Sequence, residues 1–380
     1  MSLAHSPSIV TNGLVLAYDM NNTSRSWMGA PTTNLTTFDI AVSGFNTDAP
    51  GNLTQTGSSS EMKYRGRLSR KLVVGAGYWN SYIYTYNTSV SSTVFALSFK
   101  VKVQDGSHPN TFMSGGYIYG SVGSFYPALS FTAIDDGWYL AYCTYSGTSM
   151  TLNSLTGMNG TSPGAKTFYL TDYQIEALTI TTPFVTGTRS STQALLDLTG
   201  QNTLSASSLT YASDNTFSFN ATGNYITLPT SIGYTTTVSA FAWIKTAGTP
   251  RGGYHIICGT TELEISIPTA GDLRTGVVTS GTRYVSNHGS GLTSGTWHYC
   301  GFTFDGSTKI SYIDGANVGS IGTVGTLTSS ISGRSMGIFG VGDATYGMNG
   351  MIGQFTVYNR ALSATEVAQN FQALRGRYGL

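Results

Sequence analysis

The sequence predicts an all-β protein built from two antiparallel β-sandwiches, with one short C-terminal α-helix. Two observations carry the prediction of β-structure. Short runs rich in β-branched and aromatic residues recur along the chain, and clusters of Gly, Asn, Asp and Ser separate them. A third observation, the length of 380 residues, exceeds what one ordinary sandwich needs and therefore favours two domains.

The predicted strands are runs in which β-branched and aromatic residues often alternate with polar ones. They cover residues 13–20, 81–88, 94–103, 137–147, 166–178, 224–229, 237–246, 262–268, 297–306, 309–315 and 351–359. Asp-Gly pairs at 305–306 and 314–315 flank the run KISYI and predict tight turns on both of its sides. Short strands separated by such turns are typical of a sandwich.

One segment near the C-terminus has a helical pattern instead. Ser363 and Glu366 have the spacing of a capping box, in which each side chain bonds the backbone of the other residue. Val367, Phe371 and Leu374 then recur on one helical face. We expect this helix to pack that face onto a sandwich.

The composition limits the partners that the chain can have. Charged residues make up 10% of the sequence, against about 25% in ordinary domains, and the net charge is +1. Because nucleic-acid binding needs a basic surface that displaces counterions, we expect no nucleic-acid partner. The N-terminal residues lack the pattern of a signal peptide and no apolar run is long enough to span a bilayer, so we also expect no membrane insertion.

The cysteines and most tryptophans fall inside predicted strands. Cys143, Cys258 and Cys300 are odd in number and lack the spacing of metal ligands, so we interpret them as buried reduced thiols, consistent with folding in a cytoplasm. Three tryptophans are interpreted as core residues, namely Trp138, Trp243 and Trp297.

The C-terminal half of the chain resembles a known family. The stretches that carry the resemblance are FSFNATGNYITLP (217–229), VSAFAWIKT (238–246), GTWHYCGFTFDGS (295–307), KISYIDGANVGS (309–320) and GMIGQFTVYNRALSATEVAQNFQALRGRYG (350–379). The last is the most specific, because it joins a strand, the motif YNRALS, a short helix and an arginine-bearing tail. Through these stretches the segment resembles the laminin-G-like, or concanavalin A-like, jelly roll of many phage structural proteins.

A second resemblance concerns the middle of the chain. The stretches DGWYLAYCTYSG (136–147) and YLTDYQIEALTITTPFVTGTRS (169–190) are similar to the carbohydrate-binding or galactose-binding-like jelly rolls of phage tail proteins. In single-domain relatives of the laminin-G-like kind, a strand like GLVLAYDM (13–20) opens the fold and its continuation follows soon afterwards. Here the continuation starts near Leu195.

The separation of these two pieces predicts a domain insertion. Residues 1–30 and 189–380 would form the laminin-G-like sandwich, and residues 31–188 would form the inserted carbohydrate-binding-like sandwich. Such a graft is physically sound because the two ends of a domain often lie close together. The alternative is a tandem arrangement in which residues 1–30 form an arm.

The resemblance implies a non-enzymatic bacteriophage virion structural protein, part of a tail fibre or appendage or a capsid decoration, that binds host-surface glycans. Such a protein would be made in the host cytoplasm, would contact other virion proteins, and would form a homo-oligomer, a trimer if it is fibre-associated. Two alternatives stay open. They are a glycan-degrading enzyme of the concanavalin A-like class and a secreted bacterial lectin.

The enzyme alternative can be tested on one strand. Enzymes of the resembled class place three acids alternately on a strand, and a retaining glycosidase needs two carboxyl groups about 5–5.5 Å apart. The run ELEIS supplies Glu262 and Glu264, but its third position is Ser266. We therefore interpret this run as a solvated polar face and predict no catalytic residues.

No cofactor or metal ligand is predicted, although calcium is an open alternative because related sandwiches often bind it at a loop rim. The family's frequent FDG turn appears here as Phe219-Asn220-Ala221, which lacks the carboxylate. The remaining loop aspartates are too dispersed in the sequence to name a site; they are Asp272, Asp305, Asp314 and Asp343.

The first candidate site is aromatic. In GYWNSYIYTY (77–86), alternation would place tyrosines on one strand face and Trp79 on the other. The carbohydrate-contact candidates are Tyr78, Trp79, Tyr82, Tyr84 and Tyr86. The alternative is that these are half-buried cross-strand aromatic pairs.

The second candidate site is basic. The run MKYRGRLSRK is the densest cationic patch of the chain, and we expect its first three cations on one strand face, where they could dock an acidic virion surface or phosphorylated lipopolysaccharide. Its members are Lys63, Arg65, Arg67, Arg70 and Lys71. The alternative is a solvated strand edge that blocks aggregation.

Overall fold

The computed structural model shows a chain of strands divided into two compact units. Unit 1 comprises residues 1–30 and 190–380, and unit 2 comprises residues 31–189. The residues that the structure describes are 8–35, 53–74, 77–79, 91–113, 115–125, 127–162, 165–185, 187–207, 209–212, 216–221, 223–229, 232–259, 262–268, 271–323, 325–327, 335–338 and 345–380. Within these ranges strands predominate, which confirms the all-β prediction, and no helix is long and apolar enough to cross a membrane.

Unit 1 begins with β1 (Leu14–Asp19), and the chain then enters unit 2. The described strands of unit 2 are β2 (Thr32–Thr33), β3 (Leu53–Tyr64), β4 (Arg67–Val74), β5 (Gly77–Trp79), β6 (Ser91–Val103), β7 (Gly115–Gly120), β8 (Gly123–Phe125), β9 (Ser130–Ala133), β10 (Tyr139–Ser162), β11 (Lys166–Glu176) and β12 (Thr188–Arg189). A short 3₁₀ helix covers Pro109–Thr111.

The main sheet of unit 2 has the strand order β3-β4-β11-β6-β10-β7-β8, and β5 and β9 also pair with β10. All of the described pairings are antiparallel. Alternate residues of β6, such as Phe99 and Val101, enter a core that also contains Leu72 from β4 and Phe168 from β11. The opposite face of the same strands carries polar and charged residues.

The chain then returns to unit 1, first through the one-turn helix α1 (Ser191–Ala194). The strands that follow are β13 (Ser205–Ser207), β14 (Thr210–Tyr211), β15 (Phe217–Asn220), β16 (Tyr225–Thr227), β17 (Val238–Thr246), β18 (Tyr254–Gly259), β19 (Leu263–Pro268), β20 (Leu273–Thr279), β21 (Thr282–His288), β22 (Trp297–Phe304), β23 (Thr308–Ile313), β24 (Ala316–Gly322), β25 (Ser335–Met336) and β26 (Asn349–Tyr358). Helix α2 (Ala364–Leu374) and a 3₁₀ turn (Arg375–Tyr378) end the chain.

Unit 1 has two larger sheets around one core. One sheet has the order β14-β15-β26-β17-β22-β23-β24 with β1 added on β26, and the other has the order β18-β19-β20-β21. Phe302 and Phe355 from the first sheet share a buried cluster with Ile265 and Val277 from the second. Sheets that bury one face each against a common core form a sandwich, as predicted.

The two segments of unit 1 that precede and follow unit 2 in the sequence lie next to each other. The backbone N–H of Ala17 donates to Asp197 Oδ1 at 2.9 Å, and the N–H of Leu198 donates to the Ala17 carbonyl at 2.7 Å. Trp27 forms an isolated antiparallel bridge with Leu195. The chain therefore leaves and re-enters unit 1 at neighbouring points.

Helix α2 starts as its sequence predicts. Ser363 Oγ accepts from the N–H of Glu366 at 3.3 Å, and the Glu366 carboxylate accepts from the N–H of Ser363 at 2.9 Å. Val367 is fully buried, and the Phe371 ring stacks on Trp243 with 5.7 Å between ring centroids. The capping box and the apolar face are both confirmed.

The predicted Asp-Gly turn, the cysteines and three tryptophans lie within the described ranges. The Asp-Gly pair at 314–315 joins β23 to β24 with both residues at positive φ, as a two-residue hairpin turn requires. The three cysteines are buried and unbridged. Trp138 and Trp243 are buried, whereas Trp297 is half-buried against the core. The predicted strand at 81–88 lies outside the described residues.

Candidate functional site

The outer face of the β18–β21 sheet carries a cluster of buried, hydrogen-bonded charged and polar side chains. Leu263, Ile265 and Ile267 of β19 point into the core, so the alternating positions Glu264 and Ser266 point to the opposite face. The prediction of a solvated polar face is wrong for these residues. Glu262 and Glu264 are each only 3% exposed, and Ser266 is fully buried.

Two arginines and a serine cover the Glu264 carboxylate. Arg274 Nε donates to Glu264 Oε1 at 2.9 Å, and Ser266 Oγ donates to the same oxygen at 2.7 Å. Arg283 Nη2 forms a short hydrogen bond with Oε2. The carboxylate is buried because the side chains around it are its ion-pair and hydrogen-bond partners.

The strand register explains why these side chains meet. Glu264 lies opposite Gly276 on β20, and Ser266 lies opposite Arg274. Arg283 on β21 lies opposite Val278, which places it on the same face as Arg274. A Cβ at Gly276 would stand 3.2 Å from Glu264 Cβ, so the missing side chain leaves the space in which the carboxylate lies.

These residues line an open cleft of about 170 Å³, called here the Glu264 cleft. Its lining consists of Tyr254, Ile256, Glu264, Arg274, Arg283 and Tyr346. The two tyrosine rings meet edge to face at 5.5 Å, and the Arg274 guanidinium carbon lies 5.6 Å from the Tyr254 ring centroid. The cleft thus combines aromatic surface with charged hydrogen-bonding groups.

A buried lysine lies close to the cleft. Lys309 Nζ donates to the Thr275 carbonyl at 2.5 Å and to the Tyr284 carbonyl at 3.4 Å, and the residue is fully buried. Burial lowers the pKa of Lys309 from its ordinary 10.5 to about 7, and the nearby Glu264 carboxylate opposes that shift. The charge of this lysine therefore changes near neutral pH.

The Glu264 cleft does not have the geometry of the glycosidase pattern. Both Glu264 oxygens accept hydrogen bonds from protein groups, and the third position of the acidic pattern, Ser266, donates to the same carboxylate. A glycosidase would need a second carboxyl group facing the first across the substrate. Glu262, which is two residues earlier on the strand, does not line the cleft.

Two of the four loop aspartates that bear on calcium accept hydrogen bonds from neighbouring protein groups, and Asp343 lies outside the described residues. Asp305 Oδ1 accepts from the N–H groups of Ser307 at 2.8 Å and Thr308 at 2.7 Å. Asp314 accepts from the Tyr299 N–H at 2.8 Å and lies 2.9 Å from His298 Nδ1. Throughout the part of the chain that the structure describes, no three His, Cys, Asp or Glu side chains converge on a common point that could hold a metal ion.

The tyrosine-rich candidate falls mostly outside the described residues. Tyr78 and Trp79 belong to β5, whose main chain pairs with residues 160–162 of β10. Tyr82, Tyr84 and Tyr86 lie outside the described ranges. Their role as carbohydrate contacts stays a prediction.

The basic candidate has a different shape from the one expected. Residues 62–71 form a hairpin, in which Arg65 and Gly66 make the turn with φ of +46° and +83° between β3 and β4. Lys63 lies opposite Leu68, whereas Tyr64 lies opposite Arg67. Because cross-strand partners share a face and neighbours alternate, Lys63 and Arg67 point to opposite faces, so the prediction of one cationic face is wrong.

Several cations of this hairpin form ion pairs within the protein or are buried. Arg65 pairs with Asp135 at 3.0 Å, and Arg67 pairs with Asp172 at 2.5 Å. Arg70 is 7% exposed, and burial lowers its pKa. Lys71 is half-buried, and Lys63 is exposed. A docking role for this hairpin stays a prediction.

Sequence reasoning missed the residues of the Glu264 cleft other than Glu264 itself. They come from four separate segments of the chain, so their proximity depends on strand pairing. A signal was present in the segment LRTGVVTSGTRY, where a turn at Ser280-Gly281 would place Arg274 and Arg283 on one face of a hairpin. Thr279 does pair with Thr282 across that turn.

Comparison with known proteins supports the fold of unit 1. Residues 219–368 match the model of the family described as Laminin_G_3, the Concanavalin A-like lectin/glucanases superfamily, which supports a lectin-like sandwich in this part of the chain. That segment includes β17 to β26 and therefore all six residues that line the Glu264 cleft. No curated protein sequence matches the chain.

Several solved structures are similar in part. The binding domain of Paraclostridial Mosquitocidal Protein 1 is 16% identical with a TM-score of 0.38, covering 47% of this chain and 49% of that one. The Botulinum Neurotoxin serotype G binding domain is 18% identical with a TM-score of 0.39, covering 47% and 48%.

Domain 4 of an extracellular arabinanase from Geobacillus stearothermophilus, solved with arabinotriose, is 19% identical with a TM-score of 0.36, covering 46% of this chain and 91% of that domain. The chain spans about half the length of the two toxin binding domains. At such identities and scores the likenesses assign no ligand to this chain.

Proposed function

We propose that the protein is a non-enzymatic structural protein of a bacteriophage particle, in a tail fibre, a tail appendage or a capsid decoration, and that it binds host-surface glycans. The observation that carries the glycan-binding part is the Glu264 cleft. Tyr254 and Tyr346 offer ring faces for stacking on a sugar, while Arg274 and Arg283 offer donors for its hydroxyl or acidic groups.

The placement in a virion rests on different support. The stretch at 350–379 resembles the end of the laminin-G-like domain of phage structural proteins, and the described cysteines are buried and not joined in disulfides, as expected for folding in a host cytoplasm. In this proposal the partners are other virion proteins, and a fibre-associated form is a trimer. Light scattering of the purified protein measures that oligomeric state.

The glycan-binding proposal is tested with a glycan array and a pull-down of host cells, with and without calcium. The wild-type protein should bind envelope glycans. Tyr254→Ala and Arg274→Gln should each weaken binding about tenfold, since each removes a stacking or charge-assisted contact. Arg25→Gln, at an exposed arginine outside the cleft, is the matched control and should bind like the wild type.

The glycan-binding test has three distinguishable outcomes. Binding that both cleft variants weaken supports the proposed site. Glycan binding that neither variant changes assigns the site elsewhere on the chain. An absence of binding to every glycan and cell type tested contradicts the glycan-binding proposal and favours a purely structural decoration.

A further inference from the structure

The charge of the Glu264 cleft narrows the class of glycan. We propose that this cleft selects an acidic sugar, and that Arg274 and Arg283 bind a carboxylate on the sugar ring. The inference rests on the proposed glycan-binding function and adds the chemical class of the ligand.

The balance of charged groups is the first argument. The cleft is lined by two guanidinium groups and one carboxylate, so its lining carries one surplus positive charge. Glu264 is 3% exposed, whereas the side chains of Arg274 and Arg283 are 25% and 41% exposed. The negative charge is therefore covered, and the positive charges border the opening.

The fixed orientation of the guanidinium groups is the second argument. Glu264 engages Nε of Arg274 and Nη2 of Arg283. A guanidinium presents its N–H donors in a rigid planar fork, so a contact at one of its nitrogens fixes the orientation of the whole group. Glu264 thereby aligns two forks at one site, and the planar fork matches a planar carboxylate.

The size and the aromatic lining are the third argument. A volume of about 170 Å³ is below the ~300–1,000 Å³ of pockets for drug-sized ligands, so the cleft suits a single sugar ring. Tyr254 and Tyr346 border that space at right angles to each other. The rings would contact the apolar face of the sugar while the arginines contact its acidic substituent.

The test is isothermal titration of the full chain with matched sugars. Methyl glucuronoside and N-acetylneuraminic acid are the carboxylated probes. Methyl glucoside and the methyl ester of N-acetylneuraminic acid are their uncharged controls, and glucose 6-phosphate supplies a tetrahedral anion. We expect at least one carboxylated probe to bind about tenfold or more tighter than its control, because a charge-assisted hydrogen bond is roughly twice as strong as a neutral one.

Three variants identify the groups responsible. Arg283→Gln should remove most of the preference for the acid, and Arg283→Lys should restore only part of it, because lysine keeps the charge without the fork. Glu264→Gln removes the opposing charge but also one of the two oxygens that align the guanidinium groups, so it should change binding of the acid less than Arg283→Gln does. A site in which Glu264 accepts hydroxyl groups of a neutral sugar would instead lose binding. Thermal unfolding checks that each variant is folded.

The failure of this inference is distinguishable from that of the proposed function. Equal binding of the acid and its uncharged control, with loss of both in Tyr254→Ala, overturns the acidic-sugar class and leaves glycan binding intact. Tighter binding of glucose 6-phosphate than of both carboxylated probes also overturns it. Absence of binding to all the sugars, on the array as well, overturns both.

Discussion

Each unit contains a nearly buried carboxylate held by two cations, and the two clusters have different surroundings. In unit 1 the Glu264 cluster borders an open cleft, and its arginines reach solvent. In unit 2, Asp172 pairs with Arg67 and Lys100. Here the cations lie against rings, Arg67 4.3 Å from Phe184 and Lys100 4.3 Å from Tyr64. The same ionic motif therefore borders an open cleft in unit 1, whereas in unit 2 both of its cations lie 4.3 Å from an aromatic ring centroid.

The backbone adds a second difference. Asp172 has φ of +53° at a β-bulge in β11, a conformation that Asp and Asn adopt more easily than most residues. Glu264 lies in a regular part of β19 opposite Gly276. The unit 2 cluster therefore fixes an irregular strand, whereas the unit 1 cluster fixes two long side chains.

The largest effect is expected when the unit 2 cluster is broken. Asp172→Ala should lower the free energy of unfolding of unit 2 by about 3 kcal/mol, because it leaves two partly buried cations without their carboxylate. Asp172→Asn removes the charge but keeps a residue that tolerates the positive φ. This variant should therefore be destabilised less than Asp172→Ala. Hydrogen exchange of β6 and β11 amides in urea measures the effect, and an unchanged exchange rate in Asp172→Ala would contradict it.

The corresponding change in unit 1 should have a smaller effect. Glu264→Gln should lower the free energy of unfolding of unit 1 by about 1–2 kcal/mol, because water can solvate the exposed ends of Arg274 and Arg283 once the charge is removed. Hydrogen exchange of β19 and β20 amides provides the measurement. If this variant destabilises its unit more than Asp172→Ala destabilises unit 2, the expected contrast between the cluster that lines a cleft and the cluster packed on aromatic rings is wrong.

The two clusters also differ in the lysine near each carboxylate, and this difference predicts how the stability of unit 1 depends on pH. Lys100 pairs directly with a carboxylate, whereas Lys309 bonds only carbonyl groups among its described contacts, and its pKa falls to about 7. Between pH 7 and 8.5 the unfolded chain holds the proton that folded Lys309 releases, so the stability of unit 1 should rise with pH by about 1 kcal/mol. The rise should be absent in Lys309→Met, with urea denaturation at both pH values as the measurement.

The smallest effect is expected at the hairpin of unit 2. Lys63 is exposed, so Lys63→Gln should change the free energy of unfolding by less than about 0.5 kcal/mol. Chemical denaturation checks this value. A normal stability combined with weaker attachment to purified phage particles would favour the docking role of the hairpin, and normal attachment would count against it.

The sequence predicted elements whose signals are local. The capping box at Ser363 and Glu366, the Asp-Gly turn at 314–315 and the apolar run of β17 each depend on a few adjacent residues, and all three are present. The hairpin at 62–71 was missed because its turn places an arginine, Arg65, at positive φ, where glycine or asparagine is the usual signal.

The candidate site was less predictable for a physical reason. Glu264 was singled out, but its burial depends on Arg274 and Arg283, which are ten and nineteen positions away in the sequence. Only the register of three strands brings them together. The polar residues of β19 predicted a solvated face. Glu264 is instead buried, because ion pairs with arginines of the neighbouring strands cover its carboxylate.

The pairing of β1 with β26 sets an order of events during synthesis. Residues 14–19 pair with residues 354–358, so the first strand emerges from the ribosome about 335 residues before its partner. At about 5–20 residues per second this delay is on the order of tens of seconds. The strands of unit 2 pair among themselves, so that unit can fold during the wait, while Leu16 and Tyr18 lack their strand partner until translation is nearly complete.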